Sequence, residues 1–342
     1  MHKNKLHYYF IVLMAVFASS CSNNSEPTLH LFIWADTIKP ELIEAFEEKY
    51  HCQVSVDTFD SNESMFAKLQ LSSAKYDIIF PSSYFVEILA QQKMIYALDT
   101  EKIPNSTNID ARYRSKKKLT YAIPFLVSFS GLAYRKDKVN NITPSWTVFG
   151  RSDLKGRMTM LNDAREALGA ALRTLGFSVN TRSPTEIDAA ANLLIQWKRN
   201  LAKFDNEQYR HGIASGEFLV IQGYSIDVMQ VKEENENVAF LYPIEGAIAS
   251  VDSLAISINS QHTDLAHAFI NFMLEPDNAY QNVVYTNGLV PLPAIYKQLQ
   301  QDANRKDILF PTREALDRME TIQDVGRDVE LYYKAWDRVK HS

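Results

Sequence analysis

Apolar residues fall along this chain in short runs, and between the runs lie longer stretches where they recur every three to four positions. Leu29 to Trp34, Tyr76 to Phe80, Val238 to Tyr242 and Ser253 to Ile258 are short and rich in branched or aromatic side chains, the pattern of buried strands. Helical periodicity runs from Glu41 to Tyr50, Tyr84 to Lys93, Arg165 to Leu175, Thr185 to Leu201, Leu265 to Leu274 and Arg327 to Val339. Interleaving of the two patterns predicts α/β layers with mainly parallel strands. The length, 342 residues, is enough for two domains. There is no internal repeat and no low-complexity linker, so two lobes would be joined by short crossings of the chain.

The first twenty residues follow a different pattern. His2, Lys3 and Lys5 precede an apolar stretch from Tyr8 to Phe17 and then Ala18-Ser19-Ser20-Cys21. The apolar stretch is short of the roughly 20 residues a spanning helix needs, so it reads as an export signal over residues 1–20. The small residues before Cys21 are similar to the bacterial lipoprotein cleavage box, in which the cysteine becomes the lipidated first residue, although Ala18 stands where a leucine is usual. Residues 21–27 are a polar tether of the kind that holds a folded domain off a membrane surface.

Charge narrows the partners. Losing residues 1–20 removes Lys3 and Lys5 from the 36 basic side chains, which leaves 34 against 41 acidic ones, a net of −7. Nucleic acid is a poor fit for such a surface. The one basic run, Lys116-Lys117-Lys118, reads as a solvated loop. With Cys21 lipidated, Cys52 has no disulfide partner and reads as a small buried residue, and no cysteine zinc site can form. His30, His51, His211, His262, His267 and His341 belong to no metal or nucleophile motif, and no glycine-rich phosphate loop is present. Neither a cofactor nor a catalytic centre is expected.

Ligands of open α/β sheets sit beyond the carboxyl ends of strands, so residues just after a strand are the ones to weigh. The first strand ends in Trp34 and is followed by Asp36; taken alone, the segment reads as a core tryptophan with a turn aspartate. Pro81, Ser82, Ser83 and Tyr84 follow the second, where a serine that caps the next helix needs no ligand. Asp252 stands at the edge of the run Leu254-Ala255-Ile256, a place where an acid is often solvated. Asp163 and Glu166 have capping-box spacing, Asp163 accepting from the amide three residues on and Glu166 reaching back to the cap amide. The helix dipole at that position favours both acids in ionised form.

From Leu29 to Lys340 the order and spacing of four segments resemble the bacterial spermidine/putrescine-binding proteins, receptors of polyamine ABC importers. These are Ser61-Asn62-Glu63-Ser64-Met65-Phe66-Ala67-Lys68-Leu69, Phe80-Pro81-Ser82-Ser83-Tyr84, Asp163-Ala164-Arg165-Glu166 and Val251-Asp252-Ser253-Leu254-Ala255-Ile256. The resemblance implies a two-lobed periplasmic-binding-protein fold of type II, with residues 28–131 and 252–295 in one lobe and 132–251 and 296–342 in the other. It implies no enzymatic activity but capture of a small polycation in the cleft, and delivery to a membrane permease from a lipid-anchored position in the periplasm or at the cell surface. Ligand-contacting positions carry over to Trp34, Asp36, Ser82, Tyr84, Asp163, Glu166 and Asp252, with Gln323 beside the position of a family glutamine that falls on Ile322.

Aromatic positions of the family are altered at Thr37, Gln222, Ser250 and Leu289. Carboxylates neutralise ammonium groups and aromatic faces cover methylenes, so the pattern keeps its acids and loses cover. Two other functions compete: a sensor on the same fold that reports ligand to a membrane partner, and a glycosidase-like pairing of Asp163, Glu166 and Asp252.

Overall fold

The computed structural model describes residues 26–71, 75–113, 120–302 and 305–342. The export signal, Cys21, most of the tether and Lys116 to Lys118 lie outside the described residues.

One mixed sheet of ten strands runs through the described molecule in the order β2-β1-β3-β9-β4-β7-β5-β6, with β8 on β4 and β10 on β9. Its ends are parallel, as the alternation of strands and helices predicts: β1 (Thr28–Trp34) lies between β2 (Gln53–Phe59) and β3 (Ile78–Ile79), and β5 (Met158–Met160) between β6 (Leu201–Phe204) and β7 (Val220–Tyr224). The centre is an antiparallel ribbon of β4 (Ala122–Arg135) and β9 (Ile248–Ile256), paired from Ala122↔Ala255 to Ser130↔Ile248. Strands β8 (Val238–Leu241) and β10 (Glu320–Thr321) complete the sheet.

Burial divides the chain into two bodies. Leu29, Phe46, Ile78, Phe125, Phe269 and Leu292 share one core, with a satellite around Phe32, Met65 and Phe85. Trp146, Met158, Leu168, Leu194, Trp197 and Tyr332 share another, with a satellite around Tyr209, Ile213 and Phe218. The β4 strand feeds both, since Ile123 to Phe129 pack in the first core and Leu132 and Ala133 in the second pair of clusters. Leu299 and Leu309 also pack in the first core, so the chain stays on that body well past residue 296 before it joins the second at Val325.

Two expectations shift, and that for Cys52 holds. Leu201 opens β6 and does not close the preceding helix, which ends at Lys198. The strand read as Ser253 to Ile258 starts at Ile248, which moves Asp252 from a strand edge to a strand interior. Cys52 is buried as a free thiol, while His267 is also buried, its Nε2 accepting from the Asp99 amide at 3.0 Å.

Candidate functional site

A cavity of about 440 Å³ lies over the β4–β9 ribbon, where the two bodies meet. Ribbon residues supply its floor: Ser250 pairs with Ser128 and Asp252 with Leu126, and all four line the cavity. Successive side chains of a strand point to opposite faces, so Ser250 and Asp252 share one face and stand about 7 Å apart along the strand. The sequence hides this because the polar face of β9 points into a cavity and not into solvent.

The wall from the first body begins where β1 ends. Trp34 packs on Phe59 with ring centroids 4.4 Å apart, and its buried Nε1 has no hydrogen-bond partner among the described residues. Asp36, in the left-handed region at φ 56°, is exposed at the cavity rim, and Thr37 Oγ1 closes the turn by donating to the Trp34 carbonyl at 2.8 Å. Ser82 precedes the helix Ser83–Gln91 but its side chain caps nothing. Its Oγ donates to Asp252 Oδ1 at 2.7 Å and accepts from Asn62 Nδ2 at 3.1 Å. The same Asn62 Nδ2 donates to the Tyr84 hydroxyl at 3.1 Å. Capping therefore does not account for Ser82; it is tied to an acid of the cavity.

From the second body, the loop after β5 brings Asp163 and Glu166. Asp163 caps the helix Ala164–Thr174, its Oδ1 accepting from the amides of Arg165 at 2.8 Å and Glu166 at 3.0 Å. The other half of the capping box does not form. Glu166 turns into the cavity, where its Oε1 accepts from Ser250 Oγ at 3.2 Å and its Oε2 has no partner among the described residues. Only 2% of Glu166 is exposed, and burial, with Asp163 nearby, pushes its carboxyl up to about 8. Burial likewise pushes Asp252 up to about 6, against the hydrogen bond from Ser82, and raises Asp163 despite its two amide donors. Desolvation thus outweighs the helix dipole at Glu166, contrary to the expectation that this acid is ionised, and works in the same direction at Asp163.

Seven of the eight expected residues, Trp34, Asp36, Ser82, Tyr84, Asp163, Glu166 and Asp252, line this one cavity. Gln323 does not. Ile322 occupies the wall there, and Gln323, the next residue along an extended segment, is exposed, with its carbonyl accepting from Arg165 Nη1 at 3.2 Å. Arg165 lines the cavity but spends its guanidinium on the carbonyls of Gln323 and Val179 and on the Tyr332 ring, 4.5 Å away, so it does not neutralise the acids by contact. Gln222 lies behind the wall, donating to the Glu166 carbonyl at 3.1 Å. Leu289 bridges to Val127 and lines a different, smaller hollow.

Sequence reasoning missed Tyr224, Asp227 and Arg210, which also line the cavity. Tyr224 ends the strand Val220–Tyr224 and Asp227 comes three residues later, so the rule of strand carboxyl ends would have found them had that run been read as a strand.

What the arrangement can do chemically is bind cations. Three acids from two segments, Glu166 buried and Asp163 and Asp252 half-buried, face one space beside Trp34, Phe59, Tyr84 and Tyr224, and burial holds Tyr84 as a neutral phenol. An ammonium entering here gains charged hydrogen bonds worth about 1.5–3 kcal/mol each and an aromatic face.

Comparison with known proteins agrees with this chemistry. A family model described as a bacterial extracellular solute-binding protein matches residues 41–311. The chain is similar to the spermidine/putrescine-binding periplasmic protein of Escherichia coli K12, 29% identical with 99% of each chain covered. It is 28% identical to the putrescine/cadaverine-binding protein of Pseudomonas aeruginosa, over 96% of this chain and 98% of that one. The solved TpPotD lipoprotein of Treponema pallidum is 33% identical, with a TM-score of 0.84, covering 92% of this chain and 100% of that one.

Proposed function

The chain belongs to the bacterial extracellular solute-binding protein family, and from that premise we propose that it is the extracytoplasmic receptor of a polyamine-type ABC importer. Its ligand is a small polycation of the spermidine or putrescine kind, held between two lobes by Trp34, Asp36, Ser82, Tyr84, Asp163, Glu166 and Asp252. The observation that carries this reading is the meeting of Asp163, Glu166 and Asp252 in one cavity over the ribbon that joins the two bodies. Relatives named for spermidine, putrescine and cadaverine support it.

A receptor of this kind works by population shift: a ligand that touches both lobes favours the closed form, and the closed form docks on the membrane permease. The lobes in this proposal are residues 28–131 with 252–309 and residues 132–251 with 325–342, since Leu299 and Leu309 pack in the first core and Val325 in the second. Cys21 carries the lipid that keeps the receptor at the membrane, and Cys21→Ser is expected to release the protein from the membrane fraction.

Calorimetry of the folded chain with spermidine, putrescine, spermine and basic amino acids tests the ligand class. Heat of binding from at least one amine is expected, and silence from all of them overturns the assignment.

A further inference from the structure

Beyond the residues that the family resemblance supplies, two more acids line the cavity, Asp60 beside the first body's wall and Asp227 on the opposite side. Asp227 lies in the first turn of the helix Ser225–Glu234, which starts directly after β7, and it lines the cavity together with Arg210 and Gln230. Its Oδ2 accepts from the Tyr209 hydroxyl. Its Oδ1 faces Arg210 Nη1 at 3.4 Å, well beyond the roughly 2.7–2.9 Å of a charge-assisted hydrogen bond. That guanidinium nitrogen is nearer to Gln230 Oε1, at 3.0 Å. The Arg210 side chain is 41% exposed and that of Asp227 23%, so the cation is the more solvated member of a pair that lines the cavity together.

Strand register sets where this acid stands. Asp252 is opposite Leu126 on β4, Ser250 with Glu166 on its hydroxyl is opposite Ser128, and Tyr224 is opposite Ser130. Leu126 and Ser130 are four strand residues apart, about 13 Å. The acids are therefore strung along the ribbon, with Asp227 at the Ser130 end. A second observation marks the cavity as short of donors, since Glu166 Oε2, in a side chain almost wholly buried, has no partner among the described residues.

We propose that Asp227 is a further anionic station of the cleft, beside Asp252 and the Asp163–Glu166 pair, that selects ligands with a third ammonium group, and that Arg210 is the cation such a group displaces. The inference rests on the polycation reading above and adds to it a specificity determinant. A diamine satisfies the Asp252 and Glu166 stations and leaves the Asp227–Arg210 pair undisturbed. A triamine reaches further, and its additional ammonium takes the Asp227 oxygen that Arg210 holds only loosely. Burial raises the Asp227 carboxyl, against the opposing effects of the Tyr209 hydroxyl and the Arg210 charge.

Calorimetry of the full chain with spermidine and putrescine tests this. In Asp227→Asn, which keeps an acceptor for Tyr209, spermidine affinity should fall about tenfold or more, the size of one charged hydrogen bond, while putrescine affinity changes less than about threefold. In Arg210→Gln, spermidine affinity should rise and putrescine affinity stay put, and this variant decides the matter if Asp227→Asn does not fold. Equal losses for both amines, no loss for either, or weaker spermidine binding in Arg210→Gln overturns the proposal. A wild-type chain that binds neither amine overturns the polycation reading and this inference with it. A wild type that binds both, with their affinity ratio unmoved in the variants, overturns only the role of Asp227.

Discussion

Ser82 Oγ stands 2.7 Å from Asp252 Oδ1, joining the start of a helix to the middle of a strand 170 residues later. The contact orients one acid of the cleft and lowers its proton affinity, since burial alone would push the carboxyl higher. Asp252→Asn keeps the shape and removes the charge, so amine affinity should fall about 10- to 150-fold, the range of a charged hydrogen bond of about 1.5–3 kcal/mol. Ser82→Ala should cost less, because it removes the support and leaves the acid. Calorimetry checks both, and unchanged affinity in Asp252→Asn takes that residue out of the site.

Protonation of the cleft gives a second test, with opposite signs for the empty and the filled protein. Glu166 titrates near 8 when folded, against an ordinary value of 4.5. Between these two values the folded chain holds a proton that the unfolded chain releases, so stability without ligand should decline as pH rises through the window. A bound ammonium favours the ionised acid and expels that proton. Affinity should therefore increase with pH up to about 8 and then level off, by at most about tenfold per pH unit for one proton. Titrations at pH 6, 7 and 8 in buffers of different ionisation enthalpy measure the released proton. A flat affinity with no proton release contradicts the account.

Legibility of the site depended on which strands the sequence announced. Trp34 closes a strand at a turn, Ser82 and Asp163 stand at helix starts, and all three line the cavity. Asp252 was legible as a residue but not in its setting, because Ser250 and Asp252 interrupt the apolar run of β9 and make the strand look as if it begins at Ser253. The β4 strand, buried along nearly all its length, has no alternation to mark it as the ribbon under the site. Asp227 stayed hidden because Gln222 and Gly223 break up the run before it. Polar residues inside strands weaken the periodic signal, and here those residues face the cavity or back its wall.

Asn282 gives a prediction about how the Asp36 turn is held. Fully buried in the helix Pro276–Thr286, it accepts from the Lys39 amide at 2.9 Å and donates to the Thr37 carbonyl at 3.1 Å, so one side chain pins the backbone just after Asp36. Asn282→Ala leaves two buried backbone groups unpaired, each costing about 1–3 kcal/mol. The melting temperature should drop, and amine affinity should fall with it as the turn carrying Asp36 loosens. Thermal unfolding and calorimetry on the same sample check the pair of effects. A variant as stable as the parent would show that the turn holds itself.

The Tyr333 hydroxyl donates to Glu63 Oε1 at 3.0 Å, and the two residues sit on helices belonging to different bodies. The helix Asn62–Leu69 packs through Met65 and Leu69 beside the first core, and the helix Val329–His341 packs through Tyr332 and Val339 in the second. Tyr333 itself is 45% exposed, so neither core needs its hydroxyl. A single hydrogen bond contributes a net of about 0.5–1.5 kcal/mol, and here that contribution falls on the balance between closed and open forms and not on folding. Apparent affinity scales with the fraction of molecules able to bind, so Tyr333→Phe should weaken amine binding by about two- to tenfold while the melting temperature stays put. Glu63→Gln keeps an acceptor and should do less. X-ray scattering of the ligand-free variant should show a larger radius of gyration than the parent. A lower melting temperature with unchanged affinity would mean that the contact supports one body and does not join two.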